Sequence, residues 1–192
     1  MNAQSILDIY LEQLRFLLDW LKDQEGKIND CAGRIIQSLE KGGKLLLFGC
    51  GGSAADAQHI AAELVGRFKR ERQPLPAVAL TTNTSTLTAI SNDYSFDIVF
   101  SRQVEALTKS KDVVIGISTS GKSKSVIEGI KIAKKKRAFT IAFSGGDGGQ
   151  LAKEADISFV VPSYTTPIIQ TMHLMIGHLF CEMIDEHFGE KK

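Results

Sequence analysis

Two stretches of the chain carry residue types at spacings that could hold or move charge. Residues 116 to 123 read Gly-Ile-Ser-Thr-Ser-Gly-Lys-Ser and match the phosphate-loop pattern G-x-x-x-x-G-K-[ST]. A strand-like run precedes them and a helix start follows, so free backbone N–H groups and the positive end of a helix dipole favour an anion there. A nucleotide-binding loop also needs an acidic residue at the end of an apolar strand to help hold Mg²⁺. The strands expected here run into Gly49, Thr81-Thr82, Ser144-Gly145-Gly146 and Pro162-Ser163, while Asp112 and Asp156 fall at strand starts. With Ser118, Thr119, Ser120 and Ser123 packed around one Gly121, the turn suits a single terminal phosphate rather than a nucleotide.

A second anion-friendly turn, Gly49-Cys50-Gly51-Gly52-Ser53, opens a helix expected over 54–68. Two such turns at the carboxyl ends of strands in an open α/β sheet can face one crevice, which points to a phosphorylated small molecule. In that helix His59 and Glu63 lie four apart on one face, roughly 6 Å between Cβ atoms. Imidazole and carboxylate so placed can share a metal ion, pass a proton, or form an ordinary surface pair. Gln170, His173 and His178 occupy the last helix. Eight helical residues rise about 12 Å, so Gln170 and His178 of one unbroken helix do not meet at one ion, and a site using both draws on two subunits.

The elements that must position these groups are legible as periodicity. Two helices precede the first strand, ending at Gly42-Gly43. Apolar runs at 44–48, 77–80, 113–117, 140–143 and 157–161 are strand-length, and helical patterns separate most of them. The expected fold is α/β: a five-stranded parallel sheet flanked by helices, a three-layer sandwich of flavodoxin type with an N-terminal helical hairpin. No linker or repeat divides residues 1–192, so one domain is expected. The last helix, 167–188, has more apolar positions than one stripe requires, and with the hairpin of residues 1–42 it suggests a homo-oligomer built on helices.

Composition narrows the function classes. With 192 residues, 43% of them hydrophobic, the chain can bury a core, and 23 basic against 22 acidic residues give no general footprint for nucleic acid. Asp8, Glu12, Arg15 and Asp19 interrupt the first twenty residues, so no signal peptide or membrane span is expected there. Three scattered cysteines, Cys31, Cys50 and Cys181, argue against a disulfide framework. A cytoplasmic protein with a small partner is the reading. The basic run Lys131, Lys134, Lys135, Lys136 and Arg137 reads as cations at the negative end of a helix dipole.

Taken together, Gly49-Cys50-Gly51-Gly52-Ser53-Ala54-Ala55-Asp56-Ala57-Gln58-His59, Ser91-Asn92-Asp93-Tyr94, Ser118-Thr119-Ser120-Gly121-Lys122-Ser123 and Thr166-Pro167-Ile168-Ile169-Gln170-Thr171-Met172-His173 resemble the phosphoheptose isomerases of the sugar-isomerase (SIS) superfamily. The resemblance implies an SIS domain and a cytoplasmic homotetramer with active sites at subunit interfaces. It implies conversion of sedoheptulose 7-phosphate to D-glycero-D-manno-heptose 7-phosphate, towards the heptose of bacterial lipopolysaccharide. By position it places zinc on His59, Glu63, Gln170 and His178. Substrate contacts fall on Gly51, Gly52, Ser53, Arg67, Asn92, Asp93, Ser118, Thr119, Ser120, Ser123 and Gln170. Glu63 becomes the proton shuttle of an enediol mechanism, with His178 as the acid. The chain departs from the family at Cys50, where Asn is usual and a thiol is a poor substitute for an amide, and at Pro167, where some relatives have Asp. The competing reading is a non-catalytic SIS adaptor that binds the replication initiator; that relative lacks the glutamate four residues after the histidine, whereas Glu63 is present here.

Overall fold

The computed structural model describes residues 2–190; residues 1, 191 and 192, the ends of the expected single domain, lie outside them. Five parallel strands form one sheet in the order β2-β1-β3-β4-β5. They are β1 (Leu45–Gly49), β2 (Ala77–Ala79), β3 (Val113–Ile117), β4 (Phe139–Gly145) and β5 (Ile157–Val161). All five residues of β1 and of β3 are buried, which explains why the sequence shows them as unbroken apolar runs. In register, Phe48 lies beside Gly116 and Gly49 beside Ile117. The carboxyl ends of β1 and β3 therefore finish level at the point where the strand order reverses, the place where open α/β sheets bind ligands.

Helices cover both faces. On one side α2 (Glu25–Glu40), α3 (Gly52–Val65) and α8 (Thr166–Phe188) pack Ile35, Ile60 and Ile176 onto Leu45, Leu47, Ile115 and Phe143. On the other, α5 (Val99–Leu107) and α6 (Lys124–Lys135) pack Phe100, Val126 and Ile130 onto Leu46, Phe48 and Val114. The crossover from β2 to β3 also holds α4 (Thr84–Asp93) and a 3-10 turn at Phe96–Ile98, and a short α7 (Leu151–Glu154) precedes β5. The first helix, α1 (Ala3–Lys22), is different. Leu17 is its one buried residue, set against Val161, Ile168, Ile169 and Met172, while Ile6, Leu7, Ile9, Leu11, Phe16 and Leu18 are exposed. Among the described residues no helix is long and apolar enough to cross a membrane.

Two helix ends follow one plan with different residues. At the end of α2, Gly42 N–H donates to Leu39 and Gly43 N–H to Ser38, and at the end of α6, Arg137 N–H donates to Lys134 and Ala138 N–H to Ala133. Both are Schellman caps, whose turn residue sits at positive φ. In the first it is Gly42 (φ 68); in the second it is Arg137 (φ 61), the one non-glycine at positive φ among the described residues. A side chain held in that region costs roughly 1–2 kcal/mol, a cost glycine avoids.

A buried ion pair fixes α3 against α8. Arg72 and Asp185 meet at 2.7 Å with side chains 1% exposed. The same guanidinium donates to the carbonyls of Glu63 (2.7 Å) and Leu64 (2.9 Å), two of the acceptors that the end of α3 leaves without helical partners. Asp185 also accepts from the N–H groups of Lys69 and Arg70. Burial pushes its carboxyl up, but these donors and Arg72 outweigh burial and hold it below the usual 3.8.

Candidate active site

The two turns singled out by sequence meet at the switch point. The Cys50 thiol, after β1, lies 3.8 Å from the Ser123 hydroxyl and 3.6 Å from that of Ser125, both at the start of α6. Ser53, in the first turn of α3, is 3% exposed and Ser118 6%, while Ser120 stands open to solvent. The first N–H groups of α3 and α6 thus converge on one crevice beside several hydroxyls, a cradle for a dianionic phosphate. Gly121 is required in this loop, since at φ 64 any Cβ would strike the Gly148 backbone. Lys122, the lysine of the phosphate-loop pattern, pairs with Asp147 at 3.6 Å, both exposed. Asp147 is the one acid just past the carboxyl end of β4. It stands two residues beyond the strand, so the residues that directly follow the apolar run do not reveal it.

About 10 Å further along α3, seven residues at 1.5 Å each, lies a second cluster. The Nε2 atoms of His59 and His178 face each other at 3.0 Å, and Glu63 Oε1 is 3.2 Å from His59 Nε2. One ligand atom from each of the three lies within 4.8 Å of the others. The His178 ring is fixed between Phe68, stacked at 5.7 Å, and the edge of His59 at 5.0 Å. Two imidazole lone pairs and a carboxylate oxygen aimed at one small volume suit a divalent cation bound at roughly 2.0–2.2 Å, so the donor set fits zinc.

Gln170 is not in that cluster. Its side-chain amide lies against Gly52, so close that a Cβ on the glycine would collide with it, and His178 is about 12 Å further along α8. Arg67, Asn92 and Asp93 are exposed, and Asn92 donates to Asp93 at 2.9 Å. Among the described residues, none of these three forms a hydrogen bond or ion pair with His59, Glu63 or His178.

Asp56 went unnoticed in the sequence although it stands three residues before His59, on the same face of α3. It is half-buried, and its Oδ2 has no partner. Burial pushes its carboxyl up to about 6 against the weaker downward pull of His59. His173, fully buried, donates from Nε2 to the Ser144 carbonyl (3.0 Å), and burial lowers its pKa to about 4. It packs against Phe143 in the core and takes no part in the cluster.

Residues 9–145 match the SIS domain. The chain is 53% identical to the phosphoheptose isomerase of Aquifex aeolicus over 188 residues, 98% of each chain. The chain belongs to the phosphoheptose isomerase family. Solved structures agree: a phosphoheptose isomerase from Neisseria gonorrhoeae superposes with a TM-score of 0.88 at 43% identity, covering 95% of this chain and 98% of that one. One from Francisella tularensis gives 0.92 at 35% identity, covering 97% and 100%. Membership in this family carries the three-layer parallel fold with it.

Proposed function

We propose that Glu63 and His178 move the proton in an aldose–ketose isomerisation at the cluster on α3 and α8. The chain is such an isomerase by family, interconverting sedoheptulose 7-phosphate and D-glycero-D-manno-heptose 7-phosphate. The observation that carries the residue assignment is the convergence of Glu63, His59 and His178 about two helical turns along α3 from the phosphate cradle.

Moving a carbonyl between C2 and C1 removes a proton from one carbon and returns it to the other. Glu63 Oε1 is turned to His59, which leaves the second carboxylate oxygen to take and return that proton. His178, stacked on Phe68, presents its ring to the sugar oxygens and exchanges a proton with them as the enediol forms. The serine turn and the start of α6 hold the phosphate, fixing C1 and C2 against the carboxylate. His59, Glu63 and His178 would hold zinc, which when bound supplies positive charge to the oxygens where negative charge grows.

Gln170 would complete this site from a second subunit, and Arg67, Asn92 and Asp93 would be further substrate contacts. The exposed apolar face of α1 supports residues 1–42 as the oligomerisation extension of a homotetramer. Cytoplasmic synthesis of a lipopolysaccharide heptose precursor fits this reading. Nothing in the site or the relatives favours the adaptor. The test is to incubate zinc-loaded protein with sedoheptulose 7-phosphate and follow the aldose by NMR, with metal content measured on His59→Ala and wild type. Absence of product would sink the activity, and equal zinc content would remove the metal site.

A further inference from the structure

The amino edge of the sheet, opposite the catalytic crevice, carries a pocket of about 620 Å³. Cations from four segments line it: Arg34 within α2 and Lys41 at its end, Lys111 before β3, Lys134 on α6, and Arg137 in the turn after it. Two acids also line it: Asp112 is turned inward, while Asp156 is exposed and shared between Thr140 and Lys134. Asp112 is 1% exposed and accepts from Lys44 N–H (3.0 Å), Lys44 Nζ (2.6 Å) and Lys109 N–H (2.8 Å). Asp156 accepts from the Thr140 N–H at 2.9 Å and hydroxyl at 2.7 Å. Arg34 has a loose exposed pair with Asp30 (3.4 Å), and Lys134 meets Asp156 at 3.5 Å. Lys41, Lys111 and Arg137 have no carboxylate partner among the described residues.

Helix dipoles account for only part of this arrangement. Cations in the last turn of a helix are expected, and Lys134 is one. Lys111, which belongs to no helix, donates to the Lys41 carbonyl at the end of α2 (3.1 Å) and so serves that pole as well, whereas Arg137 lies past the last turn of α6. Arg137 also occupies the cap position that the neighbouring α2 gives to Gly42, at φ 61 against 68. Backbone strain of this kind persists where surroundings demand the side chain, and here the side chain lines the pocket. Phe139 in the same wall carries the Arg34 guanidinium over its ring at 5.1 Å, a flat surface beside the charges.

We propose that this pocket binds a small molecule bearing two or more linked phosphates. Charges spread over four segments exceed what one phosphate can reach, and a linear polyphosphate has several acceptor oxygens and high charge along its length. Nothing in this step depends on the isomerase chemistry, which lies at the other end of the strands.

The test is calorimetric titration of the full-length protein with inorganic tripolyphosphate and with ATP, both without Mg²⁺. The variants are Lys41→Gln/Arg137→Asn at the pocket and Lys122→Ala at the serine turn. Asparagine tolerates positive φ, so the first variant keeps the turn; unchanged isomerase turnover and melting temperature verify its fold. The expected result is saturable binding weakened at least tenfold by Lys41→Gln/Arg137→Asn and within twofold of wild type for Lys122→Ala. ATP binding more tightly than tripolyphosphate assigns the ligand to nucleotides, and equal binding assigns it to the phosphate chain alone; both support the site. No binding at 1 mM, or binding lost on Lys122→Ala and kept in the double variant, overturns it.

Discussion

At the carboxyl edge of the sheet the groups offered to an anion are largely neutral: hydroxyls of Ser53, Ser118, Ser120 and Ser123 and the first N–H groups of α3 and α6, with Lys122 drawn aside to Asp147. At the amino edge the helix ends are of the opposite polarity, and full charges on Lys41, Lys111 and Arg137 take their place. Fixed dipoles are short-ranged and directional, so they set a phosphate in one position, as a reaction at the far end of the sugar requires. Flexible cations attract over a longer range and position less well. The two edges thus separate orientation from attraction.

The largest test of that separation is Glu63→Gln. Turnover should fall by roughly 10²–10⁴ or more, the scale of general base catalysis, while sugar-phosphate affinity stays measurable because the carboxyl-edge dipoles are untouched. Near-normal turnover in steady-state kinetics would remove Glu63 from the base role. Next comes the link between α3 and α8. Asp185→Ala leaves Arg72 buried without its partner and should cost about 3–5 kcal/mol in urea unfolding. The wild-type contribution also has a pH sign. Because the Asp185 pKa is lowered on folding, its stabilisation is complete above the unfolded value of 3.8 and is lost as pH falls through the folded one. Asp185→Asn should flatten the acid limb of a stability profile, and an unchanged limb would assign acid sensitivity elsewhere.

Smaller effects sharpen the contrast itself. Ser120→Ala removes one hydroxyl from the cradle and should raise KM by about tenfold with kcat little changed, since a hydrogen bond to a charged group is worth about 1.5–3 kcal/mol. Raising salt from 0.05 to 0.5 M should change substrate KM by no more than about threefold, whereas polyphosphate binding at the amino edge should weaken by about tenfold or more. Equal salt dependence at both edges would erase the distinction.

Much of the carboxyl edge was legible in the sequence because its parts are local. Each turn, with its hydroxyls and its helix start, fits within eight residues, and the strands feeding it are buried on both faces and read as plain apolar runs. His59 and Glu63 were visible for the same reason, being one helical turn apart. The amino edge was not legible. Arg34, Lys111 and Arg137 are far apart in sequence, and only the packing of α2 and α6 on the sheet brings them to one pocket, so the basic run 131–137 reads alone as helix-end cations. Asp56 was hidden differently: its environment comes from burial, which residue type does not announce. The Arg72–Asp185 pair spans 113 residues and left no local trace.

The seating of α1 bears on how the chain is made. Leu17 rests on Val161, Ile168, Ile169 and Met172, so α1 packs on the end of β5 and on α8, elements synthesised long after it. Until α8 emerges, α1 has exposed leucines and isoleucines and no long-lived place to dock. Contacts of such sequence separation slow folding and leave apolar surface open meanwhile. The same wait applies to His178, so a nascent chain has its phosphate turns in place well before it has a complete catalytic cluster.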